Sequence, residues 1–169
     1  MSKISMIELN SNDRERAIEL EELAREIWME HYTPIIGTDQ VDYMLSNFQN
    51  ADSILKSIRS DNYRYFMVFE GSRPVGYFAV KPEGDRKKLL LSKLYLHRDC
   101  RGRGISRLML ERVRLIAREC GMDRIQLFVN KHNSSVNIYK KLGFRIVEEL
   151  VTDIGNGYVM DDYRMALDV

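Results

Sequence analysis

The stretch Arg101-Gly102-Arg103-Gly104-Ile105-Ser106 stands between a predicted strand, Lys88 to Leu96, and a predicted long helix. Glycines permit backbone conformations and close approaches that other residues do not. A turn of this kind directs several N–H groups and the positive end of the helix dipole towards one point, which suits an anion such as a pyrophosphate. Nearby arginines can add charge-assisted contacts to phosphates: Arg101, Arg103 and Arg107. The stretch therefore predicts an anion site at the start of the helix.

The stretch alone does not decide which anion binds, or whether one does. Many tight turns between a strand and a helix contain two glycines and hold no ligand, so this interpretation stays open. The dinucleotide fingerprint requires a third glycine near the position of Arg107, and the Walker A pattern is absent. These two nucleotide-binding classes are therefore excluded.

A second block downstream carries a family resemblance. The Asn…Tyr-x-Lys-x-Gly-Phe element of the GNAT superfamily resembles Val129-Asn130-Lys131-His132-Asn133 followed by Ile138-Tyr139-Lys140-Lys141-Leu142-Gly143-Phe144. Its Gln/Arg-x-x-Gly-x-Gly/Ala signature resembles the stretch at 101–106, with Ser106 in the last position, and its usual third strand resembles Val75-Gly76-Tyr77. Because both motifs occur in this order and at this separation, and the match covers nearly the whole chain, the chain is identified as a member of that superfamily.

The hydrophobic pattern predicts one domain, residues 1–169, with the element order β-α-α-β-β-β-α-β-α-β-β. Such an order implies a mixed sheet with helices on both faces. The resemblance implies the GNAT fold, an α/β fold whose mixed, mostly antiparallel sheet is flanked by helices. Two hairpins belong to this prediction, one turning at Glu70 to Arg73 and the other at Gly155 to Gly157.

Local signals predict where the helices begin and end. The N-terminal third contains a first helix capped by Asn12 or Asp13 and broken by Thr33, Pro34 and Gly37, a second capped by Thr38, and a short third at Ile54 to Ile58. The long helix is predicted to end at Gly121. Its buried stripe is predicted to consist of Ile105, Leu108, Met109, Val113, Ile116 and Cys120.

The resemblance implies that acetyl-CoA is the cofactor. It implies that the pantetheine arm lies along Leu94, Tyr95 and Leu96, and that a backbone N–H at Leu96 polarises the thioester carbonyl. It places the pyrophosphate at the turn formed by Arg101, Gly102, Arg103, Gly104, Ile105, Ser106 and Arg107. It also implies cofactor contacts for Asn130 and Asn133 and makes Tyr139 the general acid that protonates the departing thiolate. A plain packing role for Tyr139 on an amphipathic helix stays open.

The acceptor site is less well specified. An alkylamine with a pKa near 10.4 is mostly protonated at pH 7, and exposing its lone pair costs about 4.6 kcal/mol. A general base must take that proton, and the sequence does not single one out. Candidates for acceptor binding lie late in the first helix, in the second helix and after the last hairpin turn: His31, Tyr32, Tyr43, Asp161 and Asp162. An ordinary helix-end histidine and a solvated acidic pair remain the alternatives.

The predicted activity is transfer of the acetyl group of acetyl-CoA to the primary amine of a small molecule, by direct attack in a ternary complex. The segments Ile27 to Phe48 and Tyr158 to Tyr163 resemble those of bacterial polyamine acetyltransferases, which favours a polyamine acceptor. A protein or peptide amine stays open, as does a non-catalytic acyl-CoA-binding module. A basic helix that binds nucleic acid is disfavoured because Glu111 and Glu119 interrupt its arginines.

Composition limits the remaining classes. The net charge of +1 indicates no polyanionic partner. The two cysteines, Cys100 and Cys120, lack the spacing of a disulfide framework or a zinc site, so we expect no metal. No apolar run approaches the roughly 18 residues of a membrane span, and no signal peptide is evident. We therefore expect a cytoplasmic enzyme whose partner is a small molecule rather than nucleic acid or membrane; a homodimer stays open.

Overall fold

A single mixed sheet organises the chain. The computed structural model describes residues 3–169, and its strands are β1 (Ile4–Glu8), β2 (Arg64–Glu70), β3 (Arg73–Glu83), β4 (Lys88–Leu96), β5 (Arg124–Asn130), β6 (Arg145–Gly155) and β7 (Tyr158–Asp168). Their order across the sheet is β1-β2-β3-β4-β5-β7-β6. β4 and β5 pair in parallel, whereas β1–β2, β2–β3, β5–β7 and β6–β7 pair antiparallel. The predicted mixed, mostly antiparallel sheet is confirmed.

The helices are α1 (Arg14–Ile36), α2 (Thr38–Phe48), α3 (Ala51–Ser60), α4 (Ile105–Glu119) and α5 (Ser135–Lys141). Three helices therefore lie between β1 and β2, where the predicted order has two. The third is also longer than its predicted core, because Asn50 Oδ1 accepts a hydrogen bond from the Ser53 N–H at 2.8 Å and so starts the helix early.

The junction between α1 and α2 differs from the prediction. Pro34 lies inside α1 and does not break it, although a proline there lacks the N–H donor and crowds the carbonyl four residues earlier. α1 ends at Gly37, which was among the predicted breaking residues; its φ of +87° suits glycine and its N–H donates to the Thr33 carbonyl at 2.9 Å. Thr38 is not the cap: Gly37 occupies that position and α2 has no side-chain cap bond.

The buried stripe of α4 also differs by about one residue from the predicted stripe. Leu108 is 49 % exposed, whereas Leu110 is buried beside Met109. Cys120 follows the end of the helix and is half-buried. The predicted end is confirmed, because Gly121 has a φ of +70° and donates its N–H to the Arg118 carbonyl at 3.1 Å.

The chain divides into two compact units, each with its own core. The first contains residues 3–81 and Lys93–Arg112, and the second contains Pro82–Ser92 and Val113–Val169. In the first, the rings of Phe66 and Phe78 stack at 4.7 Å between β2 and β3. In the second, fully or almost fully buried side chains of β5 and β7 form the core: Ile125, Leu127, Met165 and Ala166.

Candidate active site

The glycine-containing turn leads directly into α4 in the first unit. Gly102 and Gly104 have φ values of +74° and +80°, and a Cβ on either would meet no atom within 4 Å. The left-handed backbone, and not crowding, therefore requires glycine at both positions. The Leu108 N–H donates to the Gly104 carbonyl at 3.3 Å, so the N–H groups of residues 105–107 precede the first helical hydrogen bond. These donors and the helix dipole suit an anion, the kind of ligand that the sequence predicts here.

The arginines of this turn make contacts within the first unit. Arg101 donates from Nε and Nη2 to the Leu96 carbonyl, at 3.2 and 3.1 Å, and thereby joins the turn to the end of β4. Arg103 forms an ion pair with Glu70 on β2 and holds the pKa of that carboxyl below its usual range. The structure thus brings Leu96 and Arg101 together, and directs Arg103 towards a carboxylate. Neither arrangement was evident from the spacing of the sequence.

β4 runs unusually close to β3 where the pantetheine arm is predicted. A Cβ on Gly76 would lie 2.6 Å from the Tyr95 carbonyl oxygen and 3.2 Å from a methyl group of Leu96. Because the nearer atom is backbone, no side chain larger than hydrogen fits without moving a strand. Gly76 therefore fixes the position of the Tyr95–Leu96 backbone.

An aromatic cluster, Trp28, Tyr32, Tyr77 and Tyr95, covers this part of β4. Tyr32 Oη donates to Tyr95 Oη at 3.3 Å, and Trp28 Nε1 donates to Tyr77 Oη at 2.8 Å. His31 packs edge-on against Tyr32, with ring centroids 4.9 Å apart. The predicted residues His31, Tyr32 and Tyr95 are therefore neighbours.

Tyr43, in contrast, packs against Phe48 on α2, with ring centroids 6.2 Å apart. Sequence reasoning missed Trp28 and Tyr77 as members of the aromatic cluster. The sequence places Tyr77 in the third strand and carries no local signal that joins it to Trp28.

In the second unit, α5 carries Tyr139. Its side chain is buried, and its ring lies 5.6 Å from that of Phe144 at 68°. The predicted asparagines shape the turn before the helix: Asn130 Oδ1 accepts from the His132 N–H at 2.9 Å, and Asn133 Oδ1 accepts from the Ser135 N–H at 2.8 Å. These asparagines thus support the loop that leads to α5 and Tyr139.

The two adjacent aspartates of β7 have different surroundings. Asp161 Oδ1 lies 2.9 Å from Lys131 Nζ, an ion pair in which the carboxylate raises the pKa of the lysine. Asp162 is 5 % exposed, and its Oδ1 is buried without a hydrogen-bond partner among residues 3–169. Burial raises the pKa of Asp162 from 3.8 to about 6; the charge of Asp161 adds to this rise and Lys131 opposes it. Sequence reasoning paired the aspartates but missed Lys131.

Other site types find little support in residues 3–169. That part of the chain contains no group of three or more His, Cys, Asp or Glu side chains arranged to hold a metal. Cys100 and Cys120 are both free thiols. None of the helices within 3–169 combines the length and apolar character that a membrane crossing requires.

Several solved structures share this fold. No curated protein matches the chain. PaiA N-acetyltransferase from Thermoplasma acidophilum, solved with coenzyme A, is 22 % identical over 99 % of both chains, with a TM-score of 0.78. An acetyltransferase from Thermus thermophilus is 23 % identical over the whole of both chains, with a TM-score of 0.71. A variant of spermidine N-acetyltransferase from Vibrio cholerae is 18 % identical over 98 % of this chain and 93 % of its own, with a TM-score of 0.65.

The chain also matches a protein family. The model of the acetyltransferase (GNAT) domain matches residues 32–167, which include the glycine-containing turn, Tyr139 and both aspartates. The match covers well over half of the chain and runs through both units. The chain belongs to the GNAT acetyltransferase family and is an N-acetyltransferase whose acetyl donor is acetyl-CoA.

Proposed function

We propose that this enzyme acetylates a primary amine of a small cationic molecule, of which a polyamine is the first candidate, while both substrates are bound. The observation that carries this proposal is the buried Asp162 carboxylate with an unpartnered oxygen. Buried carboxylates in folded proteins normally have hydrogen-bond partners. A cationic amine would supply both the missing donor and the opposite charge.

The chain's own groups have distinct tasks in this proposal. The N–H groups at the start of α4, with Gly102 and Gly104, hold the pyrophosphate of acetyl-CoA, which supplies the activated acetyl group. The backbone of Leu94, Tyr95 and Leu96 positions the pantetheine arm and donates an N–H to the thioester carbonyl. Tyr139 Oη donates its proton to the departing sulfur.

The acceptor class is supported by charge as well as by Asp162. Around Asp162, the carboxylates of Asp161 and Glu149 share the single ammonium of Lys131, at 2.9 and 3.6 Å. Three carboxylates and one ammonium leave an excess of negative charge, which attracts a polycation. The existence of a spermidine N-acetyltransferase with the same fold is compatible with this class of acceptor.

We also propose that residues 1–169 act as one acetyltransferase domain, since the family match runs through both units. The near-neutral net charge supports a small-molecule partner over nucleic acid. A cytoplasmic location and a homodimer stay predictions from the sequence.

The role of Tyr139 is tested by Tyr139→Phe with acetyl-CoA and spermidine, following release of free thiol. Because the phenylalanine keeps the ring and loses only the proton, we expect kcat to fall by about 10²-fold or more. The dissociation constant for acetyl-CoA should stay within about twofold in calorimetry, since the ring contact with Phe144 remains.

The matched control is Tyr63→Phe, directly before β2, which should leave kcat and the dissociation constant for acetyl-CoA unchanged. An equal loss of turnover and acetyl-CoA affinity in Tyr139→Phe would contradict the acid role. Acetylation of a peptide N-terminus in preference to every small amine would overturn the acceptor class.

A further inference from the structure

The peptide group between Tyr95 and Leu96 has a fixed orientation. Its carbonyl oxygen, that of Tyr95, lies on the β3 side, where a Cβ on Gly76 would approach it to 2.6 Å. The C=O and N–H of a trans peptide point in opposite directions. The Leu96 N–H therefore points away from β3. In the proposed function this is the N–H that meets the thioester carbonyl.

The next peptide group, between Leu96 and His97, is held at both ends. The His97 N–H donates to the Val75 carbonyl on β3 at 2.6 Å. The Leu96 carbonyl points the other way and accepts two hydrogen bonds from one guanidinium, from Arg101 Nε at 3.2 Å and Nη2 at 3.1 Å. Two donors in the rigid fork of a guanidinium fix the orientation of an acceptor more closely than one donor does. Arg101 therefore lies along the same edge of β4 as the Leu96 N–H.

The chain between Leu96 and Arg101 turns back on itself within a few residues. The Cys100 N–H donates to the His97 carbonyl at 3.0 Å, and the Arg101 N–H donates to the Arg98 carbonyl at 3.2 Å. Arg101 is followed directly by the rest of the glycine-containing turn and then by α4. Its side chain consequently joins that turn to the end of β4 within the first unit.

The contact of the Arg101 guanidinium with the backbone differs from the phosphate contact expected from the sequence. A carbonyl that accepts two of its N–H groups occupies donors that a phosphate would need. The N–H groups of residues 105–107 precede the first helical hydrogen bond of α4 and can bind the pyrophosphate without this side chain. The geometry therefore gives Arg101 a task other than phosphate binding.

We infer that Arg101 is a positioning residue for acetyl transfer: it holds the end of β4 so that the Leu96 N–H is aligned with the thioester carbonyl. This inference rests on the proposed function. As the amine attacks, the carbonyl oxygen gains negative charge, and a donor that is already aligned stabilises this charge without reorganisation. A side chain that holds the donor in place affects the rate of acetyl transfer more than the affinity for CoA.

The test compares Arg101→Lys with Arg101→Met. Lysine keeps the charge but offers a point donor in place of the fork, and methionine has no charge. Both variants should lower kcat with acetyl-CoA and spermidine by about 10- to 10²-fold, because the Leu96 N–H is misaligned in both. The dissociation constant for CoA, measured by calorimetry, should stay within about threefold of the wild type. Arg98→Lys, in the same turn, is the matched control and should keep the wild-type kcat, since the Arg98 side chain pairs with Glu30.

A second readout separates positioning from a general loss of structure. In the wild type the Leu96 N–H donates to the acetyl carbonyl, so acetyl-CoA should bind about three- to tenfold more tightly than CoA, as one hydrogen bond allows. Arg101→Lys should reduce this preference to less than about twofold while CoA still binds. Loss of structure would weaken the binding of acetyl-CoA and CoA equally. Equal affinities in the wild type would overturn the Leu96 contact, and the role of Arg101 with it.

The remaining outcomes separate the inference from the proposed function. If Arg101→Lys keeps both kcat and the preference for acetyl-CoA, Arg101 does not position the donor, although the proposed function stands. If Arg101→Met weakens CoA binding by about tenfold or more and Arg101→Lys does not, Arg101 is a phosphate ligand instead. If the wild-type enzyme binds acetyl-CoA but acetylates no small amine, the proposed acceptor class fails, while the two dissociation constants still decide the role of Arg101.

Discussion

The Asp162→Asn substitution has an effect on stability that follows from the same burial. An ionised carboxylate that is 5 % exposed, with one oxygen unpartnered, costs free energy in the folded state but not in the unfolded chain. Asparagine has nearly the same shape and no charge. We therefore expect Asp162→Asn to lose activity while its stability at neutral and alkaline pH increases relative to the wild type.

The magnitude follows from the pKa. The pKa of Asp162 rises from 3.8 to about 6 on folding. Since a tenfold change in acidity corresponds to about 1.4 kcal/mol, the ionised side chain lowers the free energy of unfolding by about 3 kcal/mol. About one pH unit below 3.8 the group is largely protonated in both states and the cost disappears. Between pH 4 and 6 the cost grows with pH, and above pH 7 it is nearly constant.

The assay is urea unfolding of both proteins at several pH values from 4 to 8. The free energy of unfolding of the variant, minus that of the wild type, should increase by about 2 to 3 kcal/mol from pH 4 to pH 8. The asparagine amide adds an offset that does not depend on pH, so the change with pH is the informative quantity. Parallel curves over this range would show that folding does not desolvate the Asp162 carboxylate.

Two other predictions concern glycines of the first unit. Gly104→Val should raise the dissociation constant for acetyl-CoA by at least about tenfold in calorimetry, because the φ of +80° is strained for valine and the N–H donors move. Gly84→Ala is the control, and an unchanged dissociation constant in Gly104→Val would contradict the pyrophosphate assignment. Gly76→Ala should lower the free energy of unfolding by about 1 to 3 kcal/mol in urea, because its Cβ would lie 2.6 Å from the Tyr95 carbonyl oxygen; wild-type stability would show that the strands are not so close.

Elements with strong local signals could be predicted from the sequence. β4 runs from Lys88 to Leu96 as predicted, because a segment rich in leucine that is followed by a glycine-containing turn leaves few alternatives. Gly121 ends the α4 region as predicted for the same kind of reason: its left-handed conformation is a local property.

Features that depend on neighbours in space could not be predicted in this way. Pro34 was predicted to break α1, but the helix continues past it to Ile36. The predicted buried stripe of α4 included Leu108 and omitted Leu110, whereas in the structure Leu110 is buried. Both positions fit a helical period, so only the packed neighbours decide which of them is buried.

The candidate site also combines features with a local sequence signal and features that depend on neighbours in space. The residue types at the glycine turn and at Tyr139 were identified from ordered motifs. The structure was needed to distinguish Asp161 from Asp162. Successive side chains of β7 point to opposite faces, so Asp161 meets Lys131 whereas Asp162 is buried. Lys131 precedes the helix in sequence, and nothing local links it to a strand thirty residues later.

Acetyl transfer to a small cationic amine can be measured in competition with transfer to a peptide. The enzyme is incubated with acetyl-CoA and equal concentrations of spermidine and a peptide with a free N-terminal amine, and the products are measured by mass spectrometry. We expect monoacetylated spermidine to be the main product, in an amount equal to the free thiol released. Acetylated peptide with unmodified spermidine would contradict the account.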